Sequence, residues 1–256
     1  MKTFALAAAL AIGMGGIATA ETVRVGMAPE PYPPFASVDA SGTWTGWEIE
    51  IMEAVCKAAE LECVITPTAW DGIIPALTAG QIDAIMNSMS INEERLRVID
   101  FSNKYYNTPS VIVAAKGAGI TPDAAGLEGK ILGIQVSTIH QAYAEKHFAA
   151  TAGEVKAYQT QDEANQDLVA GRVDAIQADS TALDAFLASD EGKACCESMG
   201  AVADDPAVLG LGVGVGLRKG DEKLKEAFNK GIEAIRADGT YDTITAKYFA
   251  SSIYGE

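Results

Sequence analysis

Two charged residues of opposite sign, each at the end of an apolar strand, carry the clearest chemistry in this sequence. The stretch from Ile82 to Phe101 begins as a buried strand and turns polar at Asn87. It then opens a helix behind Ser90 with Arg95 in the first turns. A guanidinium stays charged throughout the physiological range, and its planar fork fits a carboxylate. Ligands of open α/β sheets bind beyond the carboxyl ends of strands, and helix N-termini attract anions. The stretch therefore reads as half of a binding site for a small molecule carrying a carboxylate. A competing reading is local: Ser90 and Glu93 have capping-box spacing, and Arg95 could pair on the surface with Glu93, Glu94 or Asp100.

Asp179 supplies the opposite charge at the end of a second apolar run. A carboxylate there must be capped, paired or left for a ligand. A ligand ammonium would satisfy it, and so would a role as cap of a helix over residues 181–187. Ser137-Thr138 opens another helix and offers donors to the same ligand carboxylate, or only caps that helix. Tyr32 lies in a loop stiffened by Pro29, Pro31, Pro33 and Pro34. It suits a ligand wall, unless Tyr32 and Phe35 both pack inward. Trp70 could face an aliphatic or cationic side chain, or join the core. His140 and His147 share one helical segment, where a solvated face is favoured over a metal site. No nucleophile motif and no glycine-rich phosphate loop is present, so catalysis finds little support.

The elements that must position these residues repeat. Leu77 to Ile85 matches Leu168 to Ile176 at six of nine positions, ninety-one residues apart, each a helix end, a Gly cap and a buried strand. That period is too long for a solenoid and fits two similar α/β lobes. The crossings between lobes are expected near the β-rich run 110–115 and the Gly-alternating run 208–217, read as a strand. This assigns residues 21–108 and 205–256 to one lobe and residues 109–204 to the other. A lobe inserted into another builds a hinge that grips ligand between closing halves.

Residues 1–20 read as a signal peptide: basic Lys2, an apolar run from Phe4 to Ile17, and a small-x-small cleavage site at Ala18-Thr19-Ala20. Glu21, not Cys, follows, so a free exported protein is expected. A net charge of -16 excludes nucleic acid as a partner and favours solubility. Export permits disulfides, and four cysteines allow three full pairings. A bridge between Cys56 and Cys63 would tie helix to strand and contribute roughly 2–3 kcal/mol. For the adjacent Cys195 and Cys196, two thiols are preferred over a strained vicinal bridge.

Several motifs carry a resemblance across the whole mature chain. They include Tyr-Pro-Pro-Phe, Gly-Trp-Glu-Ile-Glu-Ile, Trp-Asp-Gly-Ile-Ile-Pro-Ala-Leu, Ile-Asp-Ala-Ile-Met-Asn-Ser-Met-Ser-Ile, Ala-Gly-Arg-Val-Asp-Ala and Asp-Gly-Thr-Tyr-Asp. The chain resembles the periplasmic polar amino acid-binding proteins of ABC importers, above all the lysine/arginine/ornithine-, histidine- and opine-binding ones. The resemblance implies the type II periplasmic binding protein fold, with two three-layer α/β lobes joined by two hinge crossings. It implies a periplasmic monomer without cofactor or metal that captures an amino acid and delivers it to an inner-membrane permease. Arg95 would take the ligand α-carboxylate with Ser90 and groups near Thr138 and Ile139. Asp179 would take the α-ammonium, assisted by the Ser88 carbonyl. Tyr32 and Trp70 would flank the ligand side chain, with Asn87, Gln135 and His140 around the outer pocket. The Cys56–Cys63 bridge also matches.

Two departures bear on the ligand. The basic-amino-acid binders carry an Asp three residues before the aromatic matched by Tyr32; Pro29 has that spacing here, and Glu30 is the acid available in its place. The helix opening that carries two hydroxyls in many members is Ser137-Thr138-Ile139, one hydroxyl fewer at the carboxylate site. A basic amino acid or an opine is the expected ligand. Dehydratases on the same fold are the rival class, with His140 or Glu30 as the acid they would need.

Overall fold

The computed structural model describes residues 22–255. The signal peptide expected over residues 1–20 lies outside them. Chain order gives β1 (Thr22–Met27), β2 (Ser37–Val38), β3 (Trp44–Thr45), α1 (Trp47–Ala58), β4 (Glu62–Pro67), α2 (Ile73–Thr78), β5 (Ala84–Ile85), α3 (Glu93–Leu96) and β6 (Ile99–Tyr106). Next come β7 (Ser110–Ala115), β8 (Ile131–Gln135), α4 (Ile139–His147), β9 (Glu154–Tyr158), α5 (Gln161–Val169), β10 (Ala175–Asp179), α6 (Ser180–Ala188), α7 (Asp190–Cys195) and β11 (Cys196–Ala201). The chain closes with α8 (Pro206–Leu209), β12 (Val213–Arg218), α9 (Glu222–Ala237) and α10 (Thr240–Tyr248).

Two five-stranded sheets share one plan. The first has the order β4-β1-β5-β12-β6, with β12 antiparallel to β5 and β6; the second has the order β11-β7-β10-β8-β9, with β7 antiparallel to β10 and β11. In both, the echoed strand (β5 or β10) is central. One neighbour is parallel and the other is an antiparallel strand that begins where the chain has just crossed between sheets. The echo has a mechanical basis. Asp83 donates its N–H to Arg24 O (2.8 Å) and accepts from Arg24 N–H through Oδ2 (3.0 Å). Asp174 makes the same pair of bonds with Ile131, at 2.9 and 2.8 Å. The preceding helix ends at Gly80 in one copy and Gly171 in the other, at φ 72° and 67°, where a Cβ would be strained.

Strand alternation gives each sheet an apolar layer on both faces. In the first sheet Ala84 and Met86 join the aromatic core of Phe35, Trp47, Tyr105 and Tyr241, while Ile85 joins Ile73, Leu77 and Phe101 on the other side. In the second, Leu132 and Ile134 pack with Tyr143 and Phe148, while Val113 and Ile176 pack with Leu168 and Leu183. These are the two three-layer lobes of a type II binding protein fold. Among the described residues no helix is long and apolar enough to cross a membrane.

Two local readings change. The run 208–217 is not one strand: Pro206 opens α8, Gly210 (φ 83°) and Gly212 (φ 116°) break the path, and β12 begins only at Val213. The cap of α3 is Asn92, whose side chain accepts from Arg95 N–H, and not Ser90. Cys195 and Cys196 stand side by side where helix α7 gives way to β11. Cys56 is joined to Cys63, tying α1 to β4 with Cα atoms 6.1 Å apart.

Candidate functional site

The residues expected around a ligand surround one cavity between the sheets. From the first lobe come Glu30, Tyr32, Trp70, Asn87, Ser88, Ser90 and Arg95; from the second come Gln135, Thr138, Ile139, His140 and Asp179. Asn87, Ser88 and Ser90 follow β5, and Asp179 ends β10, so both echoed strands open into the cavity. Phe35 goes to the core, stacked on Tyr106, while Tyr32 reaches the cavity.

Arg95 is 8% exposed, yet neither of its guanidinium bonds goes to a carboxylate. Nη1 donates to Ser90 O (2.9 Å) and Nη2 to Ser137 O (3.1 Å), and the fork lies 5.6 Å from the Trp70 ring centre. The surface ion pair considered from sequence is therefore not what this arginine makes. Burial lowers its pKa to about 10, opposed by Glu94 and Asp179, so it stays charged at neutral pH. With Asn92 acting as the cap, the Ser90 hydroxyl is not spent on α3.

Asp179 is also 8% exposed and stands at the N-cap of α6 without a side-chain capping bond. Its Oδ2 accepts from Tyr32 OH (2.9 Å) and its Oδ1 from Thr108 Oγ1 (3.1 Å), and His140 Nε2 lies 3.6 Å from Oδ2. Burial alone would raise this carboxyl; the adjacent His140 ring and the hydrogen bonds from Tyr32 and Thr108 outweigh it and hold it below the usual carboxylate range. Burial and the adjacent Asp179 push the Tyr32 phenol well up, so it remains a donor. Glu30 contributes a different signal: its Oε2 is buried and has no hydrogen-bond partner among the described residues.

Hydrogen bonds cross the cleft from Tyr32 to Asp179, from Trp70 Nε1 to Val136 O (3.0 Å), and from Arg95 to Ser137 O. The cavity thus holds a buried cation from one lobe and a buried anion from the other. That arrangement is complementary to a zwitterion.

Comparison with known proteins agrees with this geometry. The family model for bacterial extracellular solute-binding proteins, family 3, matches residues 23–251. The chain belongs to that family. It is 41% identical over 259 residues to the L-arginine-binding protein of Pseudomonas aeruginosa, covering 100% of this chain and 99% of that one. It is 38% identical over 262 residues to the lysine/arginine/ornithine-binding periplasmic protein of Escherichia coli, covering 100% of each. Among solved structures, an ancestral arginine-binding protein bound to arginine superposes with a TM-score of 0.81 at 34% identity, covering 90% of this chain and 98% of that one.

Several residues of this solute-binding protein's cavity were not legible beforehand. Ala28, Pro31, Thr160 and Gln161 also line it; they are loop and helix-start positions with no distinctive spacing. Glu48 lies deeper, almost wholly buried, and accepts from Ser88 N–H (2.7 Å), Ser88 Oγ (3.0 Å) and Tyr105 OH. It holds Ser88 in a left-handed conformation (φ 54°) at the cavity floor. Burial raises the Glu48 pKa against those three bonds. Its signal was available: Glu48 shares the inward face of α1 with Ile51, Met52 and Val55. His140, expected at the outer pocket, is buried beside Asp179, because α4 begins at Ile139 and turns its first residues inward. Among the described residues no cluster of His, Cys, Asp and Glu could hold a metal ion.

Proposed function

We propose that this protein captures a basic amino acid (arginine, lysine, ornithine or histidine, or an opine built on one) and delivers it to an ABC import permease. The observation that carries the amino-acid reading is the pair of buried opposite charges, Arg95 and Asp179, lining one cavity from separate lobes. Arg95, with Ser90 and the donors at Thr138 and Ile139, takes the α-carboxylate. Asp179 takes the α-ammonium, with the Ser88 carbonyl assisting. Tyr32 and Trp70 flank the side chain, and Asn87 and Gln135 line its outer part.

The basic side chain is supported by Glu30. A buried carboxylate oxygen without a partner favours a cation, and a distal ammonium or guanidinium would supply one. The arginine- and lysine-binding relatives point the same way. Neither His140 nor Glu30 is assigned a proton-transfer role, and we read the protein as a binder rather than an enzyme. It acts in the periplasm as a monomer, after cleavage behind Ala20, with hinges near the 108/109 and 204/205 boundaries. The mass of the exported protein, expected to begin at Glu21, tests the cleavage.

Titration calorimetry with arginine, lysine, ornithine, histidine, glutamine and glutamate tests the ligand class. Micromolar binding corresponds to about 8 kcal/mol and is expected for the basic set. Binding confined to neutral or acidic amino acids would reject the basic assignment, and binding of none of them would reject the amino-acid reading.

A further inference from the structure

The polar groups packed against Asp179 form a chain running into the second sheet. Gln177, two residues earlier on β10, is wholly buried, and its Nε2 donates to Ser110 Oγ at 2.9 Å. Ser110 sits on the adjacent strand β7, directly opposite Asp179 in the antiparallel register. Its Oγ lies 3.0 Å from His140 Nδ1, and His140 Nε2 faces Asp179 Oδ2. His140 is 4% exposed, so solvent does not compete for these bonds.

The orientation of the Gln177 amide assigns donor and acceptor roles along this chain. The Gln177 amide nitrogen can only donate, so Ser110 Oγ accepts from it and keeps its own hydrogen to give. His140 Nδ1 lies at hydrogen-bond distance to receive it. A neutral imidazole that accepts at Nδ1 carries its proton on Nε2, the nitrogen facing the carboxylate. The other tautomer would set a lone pair against a buried negative charge. Gln177 Oε1 has no partner among the described residues. A buried amide with one end unsatisfied is costly, and an apolar residue at this strand position would avoid that cost.

We propose that Gln177, Ser110 and His140 are positioning residues for Asp179: together they fix the Nε2–H tautomer of His140, which keeps the carboxylate ionised and oriented toward the ligand ammonium. This rests on the reading of Asp179 as the ammonium acceptor. Tyr32 and Thr108 hold the same carboxylate from the first lobe and the crossing segment, so the chain through His140 is its anchor within the second lobe.

Nitrogen-15 spectra of the imidazole at about pH 8, on protein carrying His147→Gln so that His140 alone is observed, read the tautomer directly. The Nε2–H form is expected in this background, and Ser110→Ala should convert it to a mixture. In calorimetry Ser110→Ala should weaken arginine about tenfold and its des-amino analogue 5-guanidinopentanoate less than twofold. Ser110→Thr, which restores the hydroxyl, should recover arginine binding. An Nδ1–H tautomer in the Ser110 background, or equal losses for the two ligands, would overturn the assignment. If Ser110→Ala fails to fold, that spectrum decides the tautomer and His140→Leu supplies the same ligand comparison. Failure of the unsubstituted protein to bind arginine, lysine, ornithine or histidine would instead overturn the functional reading beneath it, whatever tautomer the ring adopts.

Discussion

Arg95 is a buried cation whose bonds end on carbonyl oxygens, and such a group is held at a cost that an anion would relieve. Arg95→Ala removes the counter-charge for the ligand carboxylate and leaves that anion desolvated in the cleft. A loss of at least ~3 kcal/mol, above a hundredfold in Kd, is expected by calorimetry for every amino acid the protein binds. Unchanged affinity would remove Arg95 from the site. Glu30 predicts a different pattern, because the proposed function sets it at the distal end of the ligand. Glu30→Gln should cost arginine and lysine about tenfold, the scale of one charge-assisted hydrogen bond, and leave any glutamine binding within about twofold. Equal losses across the panel would mean that Glu30 shapes the loop rather than the specificity. The two substitutions therefore separate what recognises any amino acid from what recognises a basic one.

At the scale of elements, the repeated Asp at the head of β5 and β10 clamps each central strand to its parallel neighbour. Hydrogen bonds from Arg24, with others from Arg24 N–H and Arg218 and opposed by partial burial, lower the Asp83 pKa from 3.8 to about 2. A carboxylate with a depressed folded pKa stabilises the native state above its unfolded pKa, and that contribution fades as pH falls through the folded value. Solvent around the pair screens it to about 1 kcal/mol. Asp83→Asn should thus lower stability in urea titrations at pH 7, and the gap to the parent should close between about pH 4 and pH 2. A gap independent of pH would mean the clamp acts through backbone bonds alone. The echo that carries Asp83 and Asp174 was visible in the sequence because a buried parallel strand needs the same helix stop, apolar run and edge clamp wherever it occurs. The site was legible where a charge interrupted such a run, as at Arg95 and Asp179. Motif resemblance was needed for Gln135 and Ile139, whose types carry no periodic signal. The helical turn at Pro206–Leu209 was hidden because alternating Gly and apolar residues suit a strand equally well. Glu48, Ser110 and Gln177 were passed over because polar residues within apolar patterns declare their partners only once distant strands are brought together.

The whole molecule couples these charges through its hinge. One lobe holds the buried cation and the other the buried anion, so a zwitterion is satisfied at both ends only when the lobes meet. Thr108, in the crossing segment between β6 and β7, donates to Asp179, and Ser180 N–H donates to Pro109 O (2.8 Å), so the anion's position is tied to the hinge itself. A ligand shifts a closing equilibrium only by its differential affinity for the closed state. Arginine touches both lobes and should compact the protein, seen as a fall in the radius of gyration by small-angle X-ray scattering. A des-amino analogue retains the carboxylate proposed for Arg95 but offers Asp179 no cation. It should bind more weakly and compact the protein less at matched occupancy. Asp179→Ala with arginine should behave like the unsubstituted protein with the analogue, because in both cases the second lobe has lost its charge partner. Full compaction by the des-amino ligand would show that closure is driven by the cross-cleft bonds of Tyr32, Trp70 and Arg95 instead of by the ligand's second charge.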